Sequence, residues 1–409
     1  SFLLYAVSVE TGSPILLLTS NSSRAKQIYE DLLSWRKNAG EVYLFPESEI
    51  LPFERLKIEQ SITQTRLEIL SKLLGNGYES ALPPIIVASL ASLIQKTLSR
   101  ETFYSSVHSV SVGNKVRILD LLSRWETIGY AFDGSTISMP GTMSRRGGIL
   151  DIYPIGTEFP ARIEFFGDEV ESIRLFDPVS QRSIKEVDDI VILPAQEALP
   201  SLATKEMLES RLKSLDLSIC SSAMREQIEN DINTLMHGGT VDSHSLFDSL
   251  LCEGSVLEYL SPEMLLVVDR PTDIYMEGLR MEDRSTMLRQ NKEKRGDLPL
   301  NLPNLQADPE DFMRGLDLLS RKLKIVPWSQ EDNGSMRSLD LGFLGSPAYH
   351  GNLAAMSSDI EAWHDRKEIT YIVSTHYSRL ADVLESHNLS ISEGTLSDYQ
   401  GQRKGSITL

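Results

Sequence analysis

Residues 144–183 read SRRGGILDIYPIGTEFPARIEFFGDEVESIRLFDPVSQRS, and three short runs within them alternate apolar and polar side chains. A period of two is the mark of half-buried strands, so the segment predicts a β-meander. Within ARIEFFGDEV the alternation puts Arg162, Glu164 and Phe166 on one face and Ile163 with Phe165 on the other. Gly167-Asp168 supports a tight turn into the next strand, where Ile173 and Leu175 oppose Arg174 and Phe176. In the first strand Leu150 and Ile152 alternate with Asp151 and Tyr153. The aliphatic set supplies a core face. The opposite face is cationic and aromatic, and Arg146, just before Gly147 and Gly148, enters the same sheet. Arginine with aromatic residues is the composition of a docking surface rather than of a catalytic pocket. On the residues alone, two other readings stay open. In a structural one, Phe166 lies under a helix at 114–127 and Arg162 pairs with Glu164 or Glu171. In a phosphate-binding one, the arginines hold nucleic acid, against which stand Glu158, Glu164, Asp168, Glu169 and Glu171.

Upstream of the meander the pattern is different. PILLLT at 14–19, VYLF at 42–45 and PIIVASL at 84–90 are short apolar runs that read as buried strands. Between them, 23–36 is a helix capped by Asn21, Ser22 or Ser23, and 61–74 places its apolar residues largely on one helical face. The segment after Ser89 reads as helical through Leu98. Strand–helix alternation of this kind predicts an α/β layer with parallel strands. The pattern changes near residue 106, where SVHSVSV alternates, and the β-rich unit closes with VILPAQEALP at 191–200. Residues 106–198 therefore read as an α+β domain inserted into the first, whose parts are 1–105 and 199–327. In the second part, 203–235 is helical and charged, Met264–Val268 is another buried strand ending in Asp269, and 283–320 is polar and helix-prone. Residues 328–345 have linker composition. Beyond them, 346–409 forms a small α/β unit with helices near 353–364 and 376–387 around a strand at 368–374.

The chain of 409 residues carries a net charge of −18 with a pI near 4.9, so its surface as a whole repels a phosphate backbone. No run of about eighteen apolar residues suggests a transmembrane helix, and the apolar start SFLLYAVSVETG lacks a basic leader. The absence of an initiator Met reads as a fragment that begins partway into a first helix and strand. Cys220 and Cys252 follow no ligand spacing and fit reduced, mostly buried thiols of a cytoplasmic protein. The seven histidines are scattered, so no metal site is expected.

An α/β layer raises the question of nucleotide chemistry. A phosphate loop needs GxxxxGK[ST], because backbone amides and the lysine must surround the phosphates. No such string occurs, and GQRKG at 401–405 has neither the spacing nor a preceding buried strand. The complementary half would be a strand ending in Asp-Glu, the Asp for Mg²⁺ and the Glu for the attacking water. Here Asp269 is followed by Arg270, which cannot act as that base. Asp269 then reads as a strand-end carboxylate capping the next turn. GxSxG, HExxH and GxGxxG are likewise missing. His376 beside Ser374 and Thr375 sits at a strand-to-helix turn, where hydroxyls are ordinary N-caps.

RRGGILDIYP followed by ARIEFFGDEVESIRLFDPVSQRS resembles the UvrA-binding domain shared by the bacterial excision-repair helicase UvrB and the transcription-repair coupling factors (Mfd). YLFPESEILPFE, IIVASLASLIQKTL and LLVVDRP fall where both families place helicase-like strands. The likeness covers essentially the whole chain, strongly over about 42–195 and more weakly after 205. UvrB carries a tyrosine-rich hairpin after the match to LFPESEILPFE, whereas residues 46–77 contain no tyrosine. UvrB also has an intact phosphate loop and Asp-Glu pair. The chain is therefore more similar to the amino-terminal portion of the coupling factors, whose UvrB-like module is a degenerate ATPase. The resemblance implies a RecA/helicase-like parallel-sheet domain split by an inserted UvrA-binding domain, plus a small third α/β domain. It implies a non-catalytic recruitment module in the bacterial cytoplasm, without cofactor, that binds UvrA and links stalled RNA polymerase to nucleotide excision repair. The alternative is a UvrB-like DNA-dependent ATPase. RNA polymerase and double-stranded DNA would be engaged through domains beyond Leu409, and the phosphate-loop position would fall just before Ser1. The family's UvrA-contacting arginines and second phenylalanine map to Arg146, Arg162 and Phe166. The family covers this face with its carboxy-terminal domain at rest, so a fragment without that domain should be open.

Overall fold

The computed structural model describes residues 1–35, 42–48, 50–54, 56, 58–74, 83–134, 137–199, 205–236, 244–327, 339–342, 347, 349, 351–372, 377–386, 389, 391–392 and 407–408. The chain divides into two compact units, Ser1–Pro327 and Trp328–Leu409. Among the described residues no helix is long and apolar enough to cross a membrane.

The first unit opens with α1 (Phe2–Thr11), β1 (Ile15–Thr19), α2 (Ser22–Trp35), β2 (Val42–Phe45), α3 (Gln60–Leu73), β3 (Ile85–Ser89), α4 (Leu90–Ile94) and α5 (Arg100–Ser106). The apolar runs are strands, as their composition predicts, and every residue of β1 and β3 is buried. The helix expected to reach Leu98 stops at Ile94. Gln95 is extended, and Thr97 exchanges backbone hydrogen bonds of 3.0 Å with Gly254. A Cβ at Gly254 would lie 2.3 Å from the Leu98 carbonyl oxygen, so this close strap requires glycine there.

The inserted region follows with β4 (His108–Ser111), α6 (Ile118–Thr127), β5 (Ala131–Phe132), β6 (Thr142–Arg146), β7 (Ile149–Ile152), β8 (Ala161–Phe166), β9 (Glu169–Phe176), β10 (Ser183–Glu186) and β11 (Asp189–Ile192). Strands β5 to β10 form one sheet in sequence order, antiparallel except for the short β5–β6 pair. The meander is therefore as the alternation predicts. Strand β4 pairs antiparallel with β11, so the chain enters and leaves the insert side by side. Helix α6 starts at Ile118 rather than near 114, because the backbone ahead of it is spent on the sheet: Val116 N–H donates to the Asp168 carbonyl at 2.8 Å. Leu121 and Trp125 of α6 pack into the main core together with Leu150, Ile152, Ile163 and Ile173.

The chain then forms α7 (Lys205–Lys213), α8 (Ser222–Met236), α9 (His244–Leu251), β12 (Leu265–Asp269), α10 (Pro271–Arg295), α11 (Pro309–Leu316) and β13 (Lys322–Ile325). The helical stretch expected over 203–235 is two helices. Helix α10 starts twelve residues before the expected 283, with Pro271 in its first turn, where the missing N–H costs nothing. The five parallel strands order as β13-β12-β1-β3-β2. This is the predicted α/β layer: one face of β1 packs Leu16 and Leu18 into the main core, and the other packs Ile15 and Leu17 against α2. Cys220 and Cys252 are buried and not joined by a disulfide.

The second unit contains α12 (Leu353–Asp365), β14 (Thr370–Tyr371), α13 (Tyr377–Ser386), β15 (Ile391–Ser392) and β16 (Ile407–Thr408). Its strands are parallel in the order β14-β16-β15, over a small core of Ile360, Leu384, Leu389 and Ile407. The strand expected over 368–374 is seen at Thr370–Tyr371, and residues 373–376, with His376, lie outside the described residues. So does the expected linker, apart from 339–342.

Candidate functional site

Two places in the first unit combine chemistry-bearing side chains with a defined geometry. The first is the outer face of the meander. Cross-strand register pairs Arg146 with Ile149 and Ile149 with Glu164, while Ser144 pairs with Asp151 and Asp151 with Arg162. Side chains alternate, so Arg146, Arg162, Glu164 and Phe166 share a face, opposite Ile163 and Phe165. Gly147 and Gly167 sit at φ 60° and 63° in the two turns at one end of the sheet. Those turns bring Arg146 and Phe166 to the same end, and Arg162 lies further along β8. Phe166 is 79% exposed, so α6 does not cover it. Arg146 is exposed as well.

A bulge keeps this face polar. Glu164 pairs with Ser172 while Phe165 pairs with Val170, which leaves Glu171 as the extra residue. Without it, strict alternation from Arg174 would put Val170 on the outer face; with it, Val170 turns into the core.

Arg162 is held on three sides. Its Nε donates to Asp151 Oδ1 and its Nη2 to Asp151 Oδ2, both at 2.8 Å. Nη2 also reaches Gln181 Oε1 at 3.4 Å, and the guanidinium carbon lies 4.6 Å over the Phe176 ring. Asp151 is 3% exposed and Phe176 is fully buried, packed with Ile137 and Tyr153. The Asp151 bond raises the Arg162 pKa above its ordinary value, against a partial desolvation that lowers it. The alternatives of Glu164 or Glu171 as its ion-pair partner are set aside by this geometry. Glu164 instead receives Arg174, which also bonds Glu186 at 3.1 Å. Sequence reasoning placed Asp151 and Phe176 on their strands and missed their role. Their common face with Arg162 was within reach of the period of two, but pairing Asp151 with Arg162 needs the register across the 153–160 connection.

The second place is the carboxyl end of the parallel sheet, where α/β folds bind phosphates. Leu18 of β1 pairs with Val268 of β12, so the β1–α2 turn lies beside Asp269. The turn is Ser20-Asn21, without the glycines or lysine of a phosphate cradle. Asn21 Oδ1 caps α2 by accepting from the Arg24 N–H at 3.0 Å. Arg24 Nε donates to Asp269 Oδ2 at 2.8 Å. Asp269 is buried and engaged by this arginine, rather than capping the turn that follows it. Arg270 has φ 54° and turns to Asp273, 3.9 Å away. Among the described residues no cluster of His, Cys, Asp and Glu could hold a metal ion.

Residues 109–197 match the family described as the UvrB interaction domain. The chain is 32% identical over 280 residues to a transcription-repair-coupling factor of Bacillus subtilis, covering 66% of this chain and 23% of that protein. The chain is similar to the amino-terminal region of the transcription-repair-coupling factors. A second such factor, from Haemophilus influenzae, is 26% identical over 311 residues, 76% of this chain and 25% of that protein. The UvrABC system protein B of Thermosipho africanus is 28% identical over 224 residues, 53% of this chain and 33% of that protein. The chain thus spans about a quarter of the length of the coupling factors it matches. The matched domain runs from β4 to just beyond β11 and contains Arg146, Arg162 and Phe166.

Proposed function

We propose that this chain is the non-catalytic recruitment module of a transcription-repair coupling factor, and that it binds UvrA through the face carrying Arg146, Arg162 and Phe166. The observation that carries this reading is Phe166. A large aromatic ring 79% exposed beside a glycine turn shares its face with an arginine already fixed in place, the pairing of residue types enriched at binding hot spots. Both lie in the segment that matches the UvrB interaction domain. Recruitment of this kind requires no cofactor in the chain itself. RNA polymerase and double-stranded DNA would be partners of the whole protein, in the bacterial cytoplasm.

Two alanine variants test the site. Phe166→Ala and Arg162→Ala should each weaken UvrA binding by about 1–4 kcal/mol, read by calorimetry with purified UvrA. Phe166→Ala should leave the melting temperature unchanged, since its ring contributes little burial. Parent-like affinity in both variants would sink the assignment.

A further inference from the structure

Resting on that reading of the face, we propose that Asp151 is the positioning residue of the docking site: it fixes Arg162 so that one edge of the guanidinium is presented outward to an acceptor on the partner. Arg162 has five N–H donors in a rigid fork. Asp151 takes Nε and Nη2 in a bidentate pair at 2.8 Å, and Gln181 takes Nη2 a second time. Phe176 supports the plane from below at 4.6 Å. Among the described residues nothing accepts from Nη1, while the side chain keeps 24% of its surface accessible. The guanidinium is therefore tied down on one edge and, among the described residues, left without a protein acceptor on the other.

This division matters for binding. An exposed arginine loses rotamer freedom when it docks, and that loss subtracts from affinity. Here Asp151 and Phe176 have already fixed the rotamer in the isolated protein. Asp151 is itself nearly buried and cannot reach a partner directly, so its effect on binding must pass through Arg162. The acceptor that fits Nη1 is a carboxylate or a carbonyl oxygen, with carboxylate favoured because the arginine stays charged.

Asp151→Asn is the informative variant. Its amide keeps the size of the carboxylate but turns one N–H toward an N–H of Arg162, so the fork opens. The expected result is about a tenfold loss of UvrA affinity, and no further loss when the substitution is made in an Arg162→Ala background. Nitrogen NMR of the Arg162 side chain reports on positioning without any partner: the Nε–H should exchange slowly with solvent in the parent and quickly in Asp151→Asn. If parent UvrA affinity survives Asp151→Asn, or if the loss is the same with and without Arg162, the positioning role is wrong while the docking reading stands. A parent protein that does not bind UvrA overturns both. A fast-exchanging Nε–H in the parent overturns the positioning role alone.

Discussion

Arg66 of α3 is fully buried, a state an arginine tolerates only when its donors are engaged. Its Nε donates to both oxygens of Glu197 at 3.0 and 3.1 Å. Nη1 reaches the carbonyls of Ser92 and Pro46, Nη2 that of Gln95, and the guanidinium lies 4.6 Å over Phe45. Thr97 donates to the same carboxylate at 2.8 Å. Glu197 lies just past β11, where the chain leaves the insert, so this one ion pair ties the insert to the first domain. The two charges are buried together, and removing one leaves the other uncompensated. Arg66→Ala should therefore cost about 3–5 kcal/mol, measured by urea denaturation, and a cost under about 1 kcal/mol would mean that water replaces the guanidinium. Sequence alone shows Arg66 as one cation on an amphipathic helix; its partner is 131 residues away, and no spacing rule reaches that far.

At the scale of elements, period-two alternation made the meander legible because each of its strands has one core face and one wet face. The faces of Arg162 and Phe166 followed from it directly. Helix ends were less legible, since tertiary bonds set them: the Thr97–Gly254 strap stops α4, and the Val116–Asp168 bond delays α6. The Arg24–Asp269 pair could not be read at all, because it needs the knowledge that β1 and β12 are neighbours. One contact between elements carries a pH dependence. Trp125 of α6, fully buried, donates its Nε1–H to His108 Nε2 of β4 at 3.0 Å. The network thus assigns the proton to Nδ1, 3.3 Å from the Ser106 carbonyl. Burial, with a smaller push from Arg124, lowers the His108 pKa from its ordinary 6.5. The unfolded chain then takes up the proton first as pH falls. The stability from this histidine is complete above about pH 6.5 and is lost as pH drops through the lower folded value. The urea midpoint should fall between about pH 7.5 and 5.5, and less so in His108→Gln; identical profiles would show that His108 is not the titrating group.

At the scale of the whole molecule, the parallel sheet and the inserted meander present opposite cases. The sheet is a parallel α/β layer, with β1 at its centre, α2 following it and Asp269 at the end of the neighbouring β12. At its carboxyl end the buried Asp269 carboxylate is ion-paired with Arg24, and the next residue is Arg270, a side chain that cannot act as a general base. Coordinating a nucleotide-bound cation through Asp269 would require breaking its 2.8 Å ion pair with Arg24. The net charge of −18 adds long-range repulsion toward both nucleotide and DNA. The expected outcome of an ATPase assay is no turnover above background, with or without duplex DNA. Removing a general base alone slows such reactions by about 10²–10⁴, so a weak residual rate must be tested for its origin. Turnover that rises with DNA and disappears in Asp269→Ala would make this a working UvrB-like motor, and the Arg24–Asp269 pair would then be a resting contact that nucleotide displaces. Turnover indifferent to Asp269→Ala would mark a contaminant and leave the sheet as scaffold for the meander it carries.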